Sequence, residues 1–152
     1  MAAPTPDAPL FRRPATVADM ERIHRDTAVA HLGIEFLQVG PDRLVARMPV
    51  DARTRQPMGI LHGGVSVVLA ETLGSCAASL TLPPDRYAVG LDINANHIRA
   101  VKSGWVTGTC TPVHVGRSTQ VWAIEIRDGA GKLTCTSRIT MAVLEGGNAG
   151  PS

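Results

Sequence analysis

Residues 56 to 75 read Gln-Pro-Met-Gly-Ile-Leu-His-Gly-Gly-Val-Ser-Val-Val-Leu-Ala-Glu-Thr-Leu-Gly-Ser. His62-Gly63-Gly64 is a turn that opens an apolar run, and one acid, Glu71, interrupts that run. A turn feeding a helix aims unpaired backbone N–H groups at whatever lies in front of it, so Gly63 is a candidate donor to a developing oxyanion. A carboxylate in an apolar helix is costly unless it has a partner or a task, so Glu71 is a candidate base or nucleophile. Ser75 follows Glu71 by four residues and shares its helical face, where a hydroxyl can hold a water or orient the acid; Thr72 is expected to point elsewhere. Taken singly, these residues also read as a tight helix entry, a satisfied acid and a small packing residue. Their occurrence together with Gln56, in the loop that leads to the turn, points to acyl chemistry.

The helix itself limits how they cooperate. Glu71 lies eight residues after Gly63, about 12 Å along the axis at 1.5 Å per residue. One small scissile group cannot touch both. Either the two features are unrelated, or a second copy of the chain completes the site, one helix entry facing the other chain's Glu71 across a two-fold axis.

The rest of the chain must position this helix. Thr16 caps a helix expected to run to about His31 and stop at Gly33, with Asp19 and Glu21 in its first turn. Residues 34–39 and 43–50 read as strands around the Gly40-Pro41-Asp42 turn, and 51–61 as a polar loop. The apolar helix spans Gly63 to about Leu80, buried on most sides, and Pro83-Pro84-Asp85 ends it. Extended runs follow at 87–98, Trp105–Val115, Thr119–Arg127 and Lys132–Leu144, the last two joined by the Asp128-Gly129-Ala130-Gly131 turn. This order predicts an α+β fold: a long curved antiparallel sheet wrapped around one central helix. Residues 1–15 are expected to be a disordered tail, 16–145 a single domain and 146–152 a flexible Gly-rich tail.

Composition restricts the classes. With 152 residues, one domain with a real core is expected. Aromatics make up 3%, so aliphatic side chains must fill that core, and charged residues make up 18%, below the usual ~25%, which hints at surface buried in an oligomer. A net charge of +2 gives no case for nucleic-acid or membrane binding. Cys76, Cys110 and Cys135 lack CxxC spacing and read as small buried side chains in a reducing compartment. The polar, Pro-rich N-terminus does not read as a signal peptide, so a cytoplasmic location is the default. Nucleophile-elbow, P-loop and HExxH patterns are not met, and no metal is expected.

The 56–75 segment resembles the signature of hotdog-fold acyl-coenzyme A thioesterases, specifically the catalytic-glutamate branch that includes 1,4-dihydroxy-2-naphthoyl-CoA and one type of 4-hydroxybenzoyl-CoA thioesterase. Met48-Pro49-Val50-Asp51, Val89 to His97, Gly104 to Gly108 and Ser137-Arg138 look like that branch too, and the likeness covers about residues 30–144. The phenylacetyl-CoA branch usually carries aspartate where this chain has Glu71. The resemblance implies hydrolysis of acyl-CoA, with aryl or other bulky acyl groups preferred. It implies that Gly63 N–H polarises the thioester carbonyl, that Gln56 hydrogen-bonds near it, and that His62 fixes the turn and supports thiolate departure. It further implies that Glu71 of the opposite subunit acts as nucleophile or as general base, with Ser75 positioning water. His97, Arg99, His114 and Arg117 fall in segments that resemble the family's nucleotide-contacting regions. Gly116-Arg117-Ser118 departs from the family's Gly-Ser-Arg order, which leaves an individual phosphate ligand there unassigned. The resemblance also implies that coenzyme A enters as part of the substrate, that no cofactor is needed, and that the assembly is a homodimer paired into a tetramer. A hotdog hydratase or dehydratase acting on 3-hydroxyacyl thioesters and a non-catalytic acyl-CoA binding protein are the alternatives; only hydrolysis releases a thiol.

Overall fold

The computed structural model describes residues 9–146. The chain order is α1 (Val17–Ile23), α2 (Ala28–His31), β1 (Glu35–Val39), β2 (Leu44–Pro49), α3 (Gly63–Leu80), β3 (Arg86–His97), β4 (Trp105–Val115), β5 (Thr119–Asp128) and β6 (Leu133–Glu145). The six strands form one antiparallel sheet in the order β1-β2-β4-β5-β6-β3. Bulges at Gly90–Asp92 in β3 and Pro112–His114 in β4 bend the long strands, and such bends let a sheet curl around a helix.

α3 fills that curl. Its sequence is not a strong helix former: it carries Gly63, Gly64, Gly74 and three valines. Packing holds it, with Leu69, Ala70, Leu73 and Ala77 fully buried against the sheet. Two glycines allow the close approach. A Cβ at Gly108 of β4 would lie 2.7 Å from Leu73 Cδ1, and one at Gly74 would collide with Ile139 Cγ2 of β6. Gly74→Val is therefore expected to lower the unfolding free energy by about 1–3 kcal/mol in urea titrations, as overpacking does. A variant as stable as the parent would show that Ile139 gives way without cost.

Three expectations are corrected. The single helix over 16–31 is two helices. Thr16 does cap α1, in a capping box with Asp19, and the three hydrogen bonds between these residues, with Arg22 beside them, hold the Asp19 carboxyl down to about 2. The chain then breaks at residues 24–27, where Asp26 adopts φ +57°, a left-handed conformation that cannot continue a right-handed helix. Second, residues 9–15 are packed rather than a tail. Phe11 is buried with its ring 6.3 Å from Trp122, and Arg12 and Arg13 both donate backbone N–H to Leu80 O. The Arg13 guanidinium adds bonds to the carbonyls of Leu82, Pro83 and Arg86, so it satisfies groups just beyond the end of α3. The remainder of the expected tails, 1–8 and 147–152, lies outside the described residues. Third, Glu71 is exposed in the single chain rather than buried, because α3 turns that face away from the sheet. α3 is the one described helix long and apolar enough to cross a membrane by length and composition, but here it is the core helix of the sheet.

Candidate active site

The loop before α3 is pinned from inside. Thr54 is fully buried; its hydroxyl donates to Pro49 O at 2.8 Å and accepts Asp51 N–H, while its carbonyl accepts His62 N–H at 2.9 Å. Leu61 N–H donates to Val101 O, which ties the loop's end to the strand connection opposite. His62 is thereby placed as the N-cap of α3. Its Nδ1 accepts the Gly64 N–H at 2.9 Å, so the proton of the neutral ring sits on Nε2. The Val65 and Ser66 N–H groups both go to His62 O. Among the described residues, Gly63 N–H alone of these first four donors has no acceptor, and it lies at the positive end of the helix dipole.

Gln56 stands across from it. Its side-chain oxygen accepts Met58 N–H at 2.7 Å, which leaves the amide NH2 as the free donor. Gln56 and Gly63 line one cavity of 310 Å³ together with Ser66, His97 and Arg99. His97 closes in on Gly63 so tightly that a Cβ at position 63 would sit 2.7 Å from its Nε2. Glycine at 63 thus lets a ring and an open N–H share one spot. The structure brings Gln56, Gly63, His97 and Arg99 together at the N-terminal end of α3, with His62 beside them.

Glu71 and Ser75 line a different cavity, of 300 Å³, with His24, Val68, Thr72 and Cys76. The two cavities have no residue in common. Thr72 therefore shares the groove of Glu71, contrary to the expectation that it points elsewhere; its hydroxyl donates back to Val68 O at 2.7 Å. Across from Glu71 runs β3, where Gly90 makes room: a Cβ there would lie 3.2 Å from Glu71 Oε1. Among the described residues no hydrogen bond or ion pair engages the Glu71 carboxylate, so it is available to a substrate or to water.

His114 and Arg117 fall at the other end of α3. Arg117 lines a cavity with Thr81, Arg86 and Arg12, and its carbonyl accepts from Arg86 Nη1. His114 packs beside Gly116. Within one chain these two are thus remote from His97 and Arg99. Among the described residues no cluster of three or more His, Cys, Asp or Glu could hold a metal ion. Sequence reasoning missed Thr54, which a polar loop gives no reason to single out, and the pairing of Cys76 with His24, which only the folding of the end of α1 against α3 brings to the groove of Glu71.

One curved antiparallel sheet around one helix, with open donors at the helix entry and a lone carboxylate two turns on, is the hotdog fold of a thioester hydrolase. The chain belongs to the thioesterase superfamily, whose family model matches residues 58–135. It is 47% identical over 135 residues to the 1,4-dihydroxy-2-naphthoyl-CoA hydrolase of Escherichia coli, covering 89% of this chain and 99% of that protein. It is 48% identical over 135 residues to a proofreading thioesterase of Cronobacter turicensis, covering 89% and 98%. A solved thioesterase structure from Haemophilus influenzae matches with a TM-score of 0.88 at 51% identity, over 90% of this chain and 95% of that one.

Proposed function

We propose that this protein hydrolyses acyl-coenzyme A thioesters, with aryl or other bulky acyl groups preferred, in an active site built from two copies of the chain. The observation that carries the reading is the separation of the two half-sites. Donors lie in one cavity and the carboxylate in another, about 12 Å apart along the same helix. The edge strand β3 supports the pairing: it is 12 residues long, has a sheet neighbour on one side only, and exposes Val89 and Leu91. A two-fold axis at that edge would set each helix entry opposite the other chain's Glu71.

In such a site the thioester carbonyl accepts hydrogen bonds from Gly63 N–H and the Gln56 amide. These donors are fixed before substrate arrives, so the oxyanion forms without reorganisation. The partner's Glu71 then either attacks the carbonyl carbon, giving an anhydride that water opens, or takes a proton from water as it attacks. Ser75, one turn on, holds that water. The C–S bond breaks, and the thiolate departs near His62, whose Nε2–H is free to donate. Products are the free acid and coenzyme A, and no cofactor is required. His97, Arg99, His114 and Arg117 supply donors for the nucleotide phosphates. In one chain the first pair lies at the opposite end of α3 from the second, and pairing decides which set serves which site. Large apolar side chains left exposed, among them Val113 at 59% and Leu91 at 63%, are surface for assembly into a tetramer.

The test is subunit mixing on an acyl-CoA panel read by free thiol. Glu71→Ala and Gln56→Ala chains are each expected to be impaired alone. Mixed and re-equilibrated, they form heterodimers with one wild-type site, so activity should recover to about a quarter of the parent's. If mixing gives only the average of the two variants, the site lies within one chain.

A further inference from the structure

The groove beside Glu71 has a far side, away from the carboxylate, that the hydrolytic reaction does not use. His24 stands there, at the C-cap of α1, half-buried. Its ring is held on three sides. Nδ1 is 2.7 Å from Met20 O, the ring stacks on Phe36 with centroids 5.2 Å apart, and Nε2 is 3.7 Å from Cys76 Sγ. A carbonyl oxygen can only accept, so Nδ1 carries the proton, and the neutral ring presents Nε2 as an acceptor. Burial pushes the Cys76 thiol up to about 12, so it remains S–H and is the donor to Nε2. A thiol is a weak donor, and a hydroxyl is a stronger one.

This acceptor stands in the cavity that holds Glu71. Cys76 follows Glu71 by five residues, about 7.5 Å along α3, roughly one aromatic ring beyond a carbonyl carbon at Glu71. A second cavity, of 410 Å³, continues past the same His24, Ser75 and Cys76 toward Ile23 and Leu80. An acyl group leaving the thioester along α3 therefore meets apolar walls and then one fixed acceptor.

We propose that His24 is a specificity-determining residue of the acyl site, its Nε2 accepting a hydrogen bond from a hydroxyl on the far side of the acyl group in place of the Cys76 thiol. The inference rests on the proposed acyl-CoA hydrolysis at Glu71 and adds the chemistry of the acyl end. A site that offers an acceptor discriminates against an analogue lacking the donor, because the desolvated acceptor then exchanges a good partner for a poor one.

The experiment compares kcat/KM for 4-hydroxybenzoyl-CoA with benzoyl-CoA, and for 6-hydroxy-2-naphthoyl-CoA with 2-naphthoyl-CoA. The parent, His24→Phe and His24→Gln are assayed as full-length protein by free thiol. Each ratio is taken within one variant, so a loss of folded fraction cancels. In the parent the hydroxylated member of at least one pair should be favoured about tenfold. His24→Phe, which keeps the stacking on Phe36 but has no acceptor, should bring that ratio to near one. His24→Gln, whose amide oxygen reaches the Nε2 position, should regain most of it. A parent with no hydroxyl preference, or a His24→Phe variant that keeps the preference, overturns the role of His24 while hydrolysis of the unsubstituted esters leaves the proposed reaction standing. No thiol release from any ester overturns both.

Discussion

Glu71→Ala should lower kcat by about 10²–10⁴-fold while leaving the fold and the oligomeric state as they are. That is about 3–5 kcal/mol of transition-state stabilisation. The expectation follows from what Glu71 does not do. It is exposed in the chain, it faces away from the core residues Leu69, Ala70 and Leu73, and no described residue is bonded to its carboxylate. Removing it therefore takes nothing from the packing of α3. A purely structural acid would show the reverse pattern, with stability lost and turnover per folded molecule kept. Glu71→Gln keeps the shape and the reach but can neither attack nor take a proton, so it should be as impaired as the alanine variant. Glu71→Asp draws the carboxylate back and should retain part of the rate. Thermal unfolding and size-exclusion profiles matching the parent, together with single-turnover thiol release, separate the two patterns. Wild-type turnover in Glu71→Ala would remove Glu71 from the mechanism. Single turnover in oxygen-18 water then divides the remaining choices, since only a nucleophilic Glu71 carries the label into its own carboxylate.

The architecture was legible in the sequence because its signals are local. Val121, Ala123 and Glu125 alternate with Trp122, Ile124 and Ile126, and burial in β5 follows that alternation. Pro83-Pro84 marks the end of the central helix, and the Asp128-to-Gly131 turn marks the last hairpin, where Gly131 N–H donates to Asp128 O. Gly63, His62 and Gln56 were legible for the same reason, since all three belong to one turn and the loop before it. The separation of Gly63 from Glu71 needed only the helix rise. What the sequence did not disclose depends on contacts between distant segments. Residues 9–15 look like a tail by composition, yet Phe11 reaches Trp122, 111 positions on. The break between α1 and α2 hangs on one left-handed residue, Asp26, in a stretch whose propensities allow a continuous helix. His24 has no local mark of function at all; its acceptor is defined by Met20 O, Phe36 and Cys76, three partners from three elements.

Trp122→Ala should lower the unfolding free energy by about 3–5 kcal/mol, the usual cost of emptying a large buried aromatic site. Trp122 is fully buried on the inner face of β5, and Gln120, two residues earlier, points the same way. The two form a relay with one possible direction. Trp122 Nε1–H donates to Gln120 Oε1 at 3.0 Å, Gln120 Nε2 donates to Thr81 Oγ1 at 2.8 Å, and Thr81 Oγ1 donates to Ala78 O at 2.8 Å. The indole thus determines which way the Gln120 amide faces, and the amide ties the sheet to the last turn of α3. Trp122→Phe separates volume from polarity: it keeps most of the ring but leaves Gln120 Oε1 buried without a donor, which should cost about 1–3 kcal/mol. Adding Gln120→Leu removes the stranded amide, so the double variant should be less destabilised than the sum of the two single changes. Urea unfolding at fixed protein concentration measures the parent and all the variants on one scale, a necessary control if folding is linked to assembly. Additive losses would mean that the relay is not a coupled unit. Turnover supplies the second readout. The relay holds the C-terminal end of α3, whereas the Gly63 N–H lies at the other end and Glu71 near the middle, so folded Trp122→Phe should keep a catalytic rate close to the parent's. The rotation of α3 about its axis, which turns Glu71 away from the sheet, would then rest on Leu69, Ala70, Leu73 and Ala77 rather than on this end of the helix.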